Sequence, residues 1–313
     1  MTVNKEYKAC FVIPYFGEFP NYFSYFLSSA IFNSNFDFLF VTDIDYKFLE
    51  VRNIKVVNMS FQELQKKIQS IFDFKININV PYKLCDYKPA YGVIFKDYLR
   101  EYDYWGHCDI DTILGDLNHY IPFEELQEYD RIFTEGHMTL YKNNEKVNNY
   151  FRTLSAEDCQ NYKDVYTTDD VRCFDEWGAH KGNGLSKILE KNGIKQYKDS
   201  KCFDVNSTKY KFLNARNKEM YNGYFEYTHR KVIFWKYENK QYIPEEVSYV
   251  HFQKRKLKIE STNTKHFYVV QPNVIKDSIH LDKPLNRIYS IQWNIYWQQV
   301  NRKLGYLKKR LMK

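Results

Sequence analysis

The sequence predicts an α/β fold: a mixed, mostly parallel sheet flanked by helices. Three observations carry this expectation. Strand-length apolar runs alternate with amphipathic segments in the order strand, helix, strand, strand, helix, which is how an open parallel sheet begins. Turn formers and a capping signal punctuate the same stretch. At 313 residues, with no internal repeat and no Pro/Gly linker, the chain is long enough to bury a real core.

Taken in order, Lys8–Tyr15 reads as the first strand, interrupted by Pro14 and ended near Gly17. Pro20–Asn33 reads as a helix: proline suits a first turn, and Phe23, Phe26, Leu27, Ala30 and Ile31 recur at spacings of three and four. Phe36–Val41 is a second strand running into Thr42-Asp43, and Asn53–Val57 a third. Ser60 caps a helix over Phe61–Phe72, and Glu63 completes a capping box. Lys88–Tyr102 reads as the next helix, with Pro89 in its first turn, and Tyr104–Cys108 as a strand delivering Asp109 and Asp111. Arg131–Thr134 is a further strand. Asp175–Asn192 is a glycine-interrupted segment that firms into a helix over Leu185–Lys191 and stops at Gly193. Lys231–Tyr249 carries β-rich pieces, and 286–313 is a last helical segment. Ligands of open α/β sheets bind at the carboxyl ends of strands. Pro14 to Gly17 and Thr42-Asp43 therefore lie on the binding edge.

Charge narrows the partners. Seven basic residues and no acidic ones lie in 285–313; the other 39 basic residues balance the 39 acidic ones. The net charge of +7 therefore belongs to the tail, which argues against a broad nucleic-acid surface on the body. The polar start, the short apolar stretch Ala9–Ile13 and six cysteines without a C-x-x-C pair fit a reduced cytoplasmic protein with no signal peptide. The 29 Tyr and 24 Phe suit sugar or base clefts, or reflect biased composition.

Asp109-Ile110-Asp111 is the motif that carries chemistry. Two carboxylates at this spacing can approach one hard divalent cation, and magnesium or manganese sites use one or two carboxylates plus substrate phosphates. A bare D-x-D arises often by chance, so its position at a strand end in mid-domain is what gives it weight.

Residues 83–117, KLCDYKPAYGVIFKDYLREYDYWGHCDIDTILGDL, resemble the core of bacterial GT-A glycosyltransferases of capsule and O-antigen synthesis. ACFVIPYFG at the start, FLFVTD, and EGHMTLYKNN at 135–144 fit the same pattern, and the resemblance spans roughly residues 8–260. It implies a GT-A-like domain over 1–284, with a nucleotide-binding half to about 120 and an acceptor half beyond it. It implies a nucleotide-sugar donor, UDP-linked by that resemblance alone, and a saccharide or lipid-linked oligosaccharide acceptor. Pro14, Tyr15 and Phe16 would touch the base, Thr42 and Asp43 the base or ribose, and Lys88 the donor phosphates. Asp109 would contact ribose and, with Asp111 and His251, the manganese or magnesium ion. Lys254 and Lys256 would meet the departing diphosphate.

Plainer roles stay open. Asp43 also suits a turn cap, Lys88 a solvated helix start, and His251 a structural histidine facing away from Val250 and Phe252. His107, His137 and His180 are weaker ligand candidates. A cation at the start of a helix opposes the dipole, which favours an anionic partner for Lys88. For an inverting transferase the general base candidates are Asp175 or Glu176, then Glu135, then Asp169-Asp170, whose Thr167-Thr168 lead-in also suits a helix cap. A retaining enzyme needs no such base. Trp177 suits either an acceptor sugar or the core. The apolar positions of 285–313, mixed with its cations, suit either an anionic membrane surface or packing on the domain; the first would place the enzyme peripherally on the inner face of the cell membrane.

Two rival functions remain. Asp109-Ile110-Asp111-Thr112 also matches the D-x-D-x-T of haloacid-dehalogenase-like phosphatases, with Asp109 as nucleophile and Asp169-Asp170 as a late acidic pair. That motif usually opens its domain, whereas here a strand–helix–strand unit precedes it. The other rival is a non-catalytic nucleotide-sugar-binding module.

Overall fold

The computed structural model describes residues 7–153, 157–179, 182–205, 211–253, 257–271 and 273–279. The chain forms two compact units that interleave in sequence. The first takes the chain up to Phe19, Ala30–Ile110 and Asn118–Ser200; the second takes Pro20–Ser29, Asp111–Leu117 and the chain from Lys201 onward. The fold is mixed α/β, as expected.

The first unit is built on a seven-stranded sheet. Its spatial order is Gln196–Tyr197, Arg131–Glu135, Met138–Lys142, Tyr104–Cys108, Ala9–Pro14, Phe36–Thr42, Ile54–Asn58. Met138–Lys142 pairs antiparallel with both neighbours and every other pairing is parallel, so the remaining strands all point one way. The strands expected from the sequence match these within a residue or two. The antiparallel Met138–Lys142 was not foreseen.

Cys10, Val12, Leu39, Val41, Trp105 and Tyr141 point to one face and bury against helix and loop residues such as Leu64, Tyr87 and Ile188. Phe11 stacks between Phe36 and Phe38 on the other face, where Phe123 covers Phe36 and Tyr104. Much of the aromatic excess is thus spent in the core. Gly106, a break in an otherwise bulky strand, has a packing reason: a Cβ there would lie 2.1 Å from the Thr139 carbonyl oxygen.

The helix Phe23–Phe32 begins after Pro20, whose carbonyl accepts from Phe23 N. Ser60 and Glu63 form the expected capping box on the helix Phe61–Gln69. Leu185–Lys191 is helical as expected. One helix differs. Pro81–Ala90 is a 3-10 helix followed by a single α-turn, Tyr91–Ile94. Pro89 closes this segment instead of opening a helix over 88–102, so Lys88 lies in a last turn. The Lys88 ammonium, expected at a helix start, therefore does not oppose a helix dipole. Thr167-Thr168 likewise ends the helix Tyr162–Thr167 instead of capping a new one.

The second unit holds two sheets. One runs Met220–Tyr221, Phe212–Asn214, Cys202–Val205, Tyr249–His251, Thr112–Leu114; the other runs Gln241–Val247, Lys231–Glu238, Gly223–Thr228, Phe267–Val270, Val274–Lys276, Lys258–Glu260. The hairpin of Lys231–Glu238 with Gln241–Val247 turns through Asn239 and Lys240, both at positive φ, as a two-residue turn of this hand requires. Phe203, Phe212, Phe225 and Phe234 form its aromatic centre. No described helix is long and apolar enough to cross a membrane. The basic segment 285–313 lies outside the described residues.

Candidate functional site

In the first unit, the parallel strands end together at Pro14, Thr42, Cys108 and Glu135. Chain order reverses at Ala9–Pro14, which has Phe36–Thr42 on one side and Tyr104–Cys108 on the other. A crevice for ligands opens at such a reversal. Tyr15 and Thr42-Asp43 lie at this edge; Tyr15 N donates to Val41 O at 3.0 Å. Asp43 is exposed and Tyr15 half-buried against Phe19. Phe16 is buried against Phe61, and the Thr42 hydroxyl accepts from Ile44 N.

Asp109 follows the neighbouring strand, its N–H donating to His137 O at 2.8 Å. Its carboxylate accepts from Lys88 Nζ at 2.7 Å, and the same ammonium reaches the Gly136 carbonyl at 2.6 Å and the Asp175 carboxylate at 3.5 Å. Lys88, 21 positions before Asp109, thus joins it to Asp175, 66 positions after it. Burial works against the Lys88 charge, but Asp109 and then Asp175 hold its pKa well above the usual lysine value. Burial does the reverse for Asp175, pushing its carboxyl up to about 8 against the pull of Lys88.

The loop bearing Asp175 is anchored from two sides. Arg131, fully buried, donates to the Asp175 carbonyl at 2.9 Å and to Ser186 and Gln196. Asp86 accepts from Arg172 N and Phe174 N and pairs with buried Lys83, whose ammonium also reaches the carbonyls of Val165 and Asp170. Sequence reading missed Lys83, Asp86 and Arg131. Their signal was present: charged residues inside otherwise buried elements need partners.

Glu176 is exposed, and a Cβ on Gly136 would lie 2.4 Å from its side chain. Glu135 turns back to accept from Thr134 N at 3.0 Å, and burial raises its carboxyl pKa. Asp170 faces Arg172 at 4.0 Å; the carboxylate brought to Lys88 is Asp175. Trp177 is 39% exposed with Lys198 Nζ 4.8 Å from its ring centre, so the core alternative for Trp177 falls. His107 is buried, and burial holds its imidazole well below the usual histidine pKa.

The chain re-enters the second unit at Asp111. Three short strands meet there in register: His251 pairs with Thr112 on one side and with Asp204 on the other. Phe252 N donates to Asp111 O at 2.7 Å, fixing the aspartate backbone. His251 Nε2 lies 3.4 Å from Asp111 Oδ1, and Nδ1 lies 2.9 Å from Asp204 Oδ1. Burial opposes a charged imidazole, yet Asp111 and then Asp204 carry the His251 pKa up to about 10. Asp111 and His251 belong to one group of side chains whose ligand atoms lie close enough together to hold an ion, and Asp204 and His251 belong to a second such group. Carboxylate oxygen and imidazole nitrogen form a donor set that fits manganese, and the carboxylate also fits magnesium. Asp204 was missed in the sequence, although a lone carboxylate in the buried strand Cys202–Val205 marks it. Lys254, Lys256 and His180 lie outside the described residues.

Over residues 11–278 the chain belongs to DUF6625, described as a family of unknown function. No curated protein matches it. Among solved structures it is similar to the galactosyltransferase LgtC in complex with donor and acceptor sugar analogs, at 13% identity and a TM-score of 0.39, covering 78% of this chain and 87% of that one.

Proposed function

We propose that this protein is a metal-dependent glycosyltransferase that moves a sugar from a nucleotide-sugar donor, UDP-linked, to a saccharide or lipid-linked acceptor in surface polysaccharide synthesis. The observation that carries the reading is the pairing of Asp111 with His251 within the second unit, Asp111 being the second carboxylate of the D-x-D. The resemblance of residues 83–117 to GT-A enzymes supports the same assignment.

Asp109, Asp111 and His251 would hold manganese or magnesium. The bound ion would neutralise charge on the departing nucleoside diphosphate. Lys88 is engaged by Asp109, Gly136 and Asp175, so its role in this scheme is to fix Asp109. Pro14, Tyr15, Phe16, Thr42 and Asp43 would border the nucleoside, with Phe16 supporting from the core. Asp175 is the leading proton acceptor for an acceptor hydroxyl in its ionised form; burial raises its carboxyl to about 8, so that form dominates only above neutral pH and is then a stronger base than an ordinary carboxylate. Glu176 and Glu135 follow. Trp177 is available to stack on an acceptor sugar.

The test is a thermal-shift screen of UDP-, GDP- and CDP-sugars with and without manganese. A manganese-dependent shift with one nucleotide is expected. No shift with any nucleotide sugar, together with hydrolysis of a generic phosphate ester that Asp109→Asn abolishes, would instead establish the phosphatase.

A further inference from the structure

We propose that Asp204 is a positioning residue that sets the tautomer and angle of His251, so that Nε2 is presented to the cation. This rests on the metal-binding reading above and extends it to a residue that touches neither the ion nor the substrate.

Cys202–Val205 runs parallel to Tyr249–His251 with Asp204 opposite His251, and Thr112–Leu114 runs antiparallel on the other side with Thr112 opposite His251. The sheet therefore holds the imidazole between two neighbouring strands. Asp204 meets Nδ1 at 2.9 Å while Asp111 lies 3.4 Å from Nε2, so the two carboxylates flank opposite edges of the ring. An imidazole that donates Nδ1–H to a carboxylate must offer its lone pair through Nε2. Two ligand atoms bound to one ion at about 2.1 Å lie about 3 Å apart. The separation of Nε2 from Asp111 is close to that value, whereas Asp204 faces the far edge.

Burial supplies the second reason. Asp204 is 9% exposed in a strand whose other members are buried and apolar. A carboxylate there costs stability unless it is partnered. His251 is that partner, and the pair raises the basicity of the ligand nitrogen.

The test compares manganese affinity, by calorimetry with the metal alone, in wild type, Asp204→Ala, Asp204→Asn, Asp204→Glu and His251→Ala. Each variant is first melted without metal to establish folding. Asp204→Ala should weaken manganese binding about 10- to 100-fold. Asp204→Asn keeps an accepting oxygen and should lose less, and Asp204→Glu should recover part of the loss. With diamagnetic zinc bound, wild type should show a downfield Nδ1–H proton of His251 that Asp204→Ala lacks. Unchanged affinity in a folded Asp204→Ala, beside a loss in His251→Ala, overturns the positioning role and leaves the metal site standing. Affinity unchanged in His251→Ala overturns the metal reading itself. A zinc-loaded wild type without the Nδ1–H proton shows that Nδ1 does not donate to Asp204 and overturns the proposal.

Discussion

The two units bury charge in opposite ways. Around Lys88, one permanent cation gathers the carboxylates Asp109 and Asp175 and a carbonyl, and Asp175 tends to keep its proton near neutral pH. That cluster balances itself. Around His251, two carboxylates flank one imidazole, and the imidazole can give up its charge by releasing a proton. The contrast separates a scaffold from an exchangeable site. Lysine holds the first arrangement fixed, whereas the second can trade a proton for a divalent ion.

Lys88→Met should break the first cluster hardest. It leaves Asp109 and buried Asp175 without their cation and should cost about 3 kcal/mol in denaturant unfolding. A loss under about 1 kcal/mol would mean that the cluster is not the scaffold described.

The two clusters should also respond to pH over different ranges. The folded pKa of His251 is raised to about 10, above an unfolded value of about 6.5. Its stabilisation of the metal-free protein is therefore complete below about pH 6.5 and fades as pH rises towards 10. His251→Gln should flatten that range in unfolding curves measured across it. The folded pKa of Asp175 is raised to about 8, above about 3.9 when unfolded. Its contribution is complete below that lower value and falls as pH rises to 8, so Asp175→Asn should flatten the lower range. If neither variant changes the slope, the assigned charge states are wrong.

Metal binding sharpens the contrast further. Below pH 10, each manganese ion should displace about one proton, and affinity should rise about tenfold per pH unit. Calorimetry in buffers of different ionisation enthalpy counts that proton, and a count of zero contradicts the exchange. The smallest effect expected is on the tail. Truncation after Pro284 should reduce binding to anionic vesicles, and equal binding by both chains removes the proposed membrane contact.

The parallel strands, the Ser60 capping box and the helix Leu185–Lys191 were legible because each depends on local pattern. What lay hidden depends on distant pairing. Pro89 suited a first turn, yet it closes a 3-10 segment whose buried Lys83 and Asp86 anchor residues more than 80 positions later. The antiparallel insertion Met138–Lys142 gives no separate signal beside its neighbour Arg131–Glu135. Asp109, Asp111 and His251 were readable as candidates. Asp204 showed only as a lone carboxylate among apolar residues, and its partner stayed hidden because only the register of three strands of three or four residues brings it to His251. Sequence also favoured donor phosphates for Lys88, while the fold surrounds that ammonium with the protein's own oxygens.

The central claim is that Asp111 and His251 hold one metal ion for a nucleoside diphosphate. Calorimetry of UDP binding with and without manganese, in wild type, Asp111→Ala and His251→Ala, tests it most directly. The account predicts manganese-dependent binding in wild type and its loss in both variants while their metal-free melting stays cooperative. Unchanged UDP and manganese affinity in a folded Asp111→Ala would contradict it.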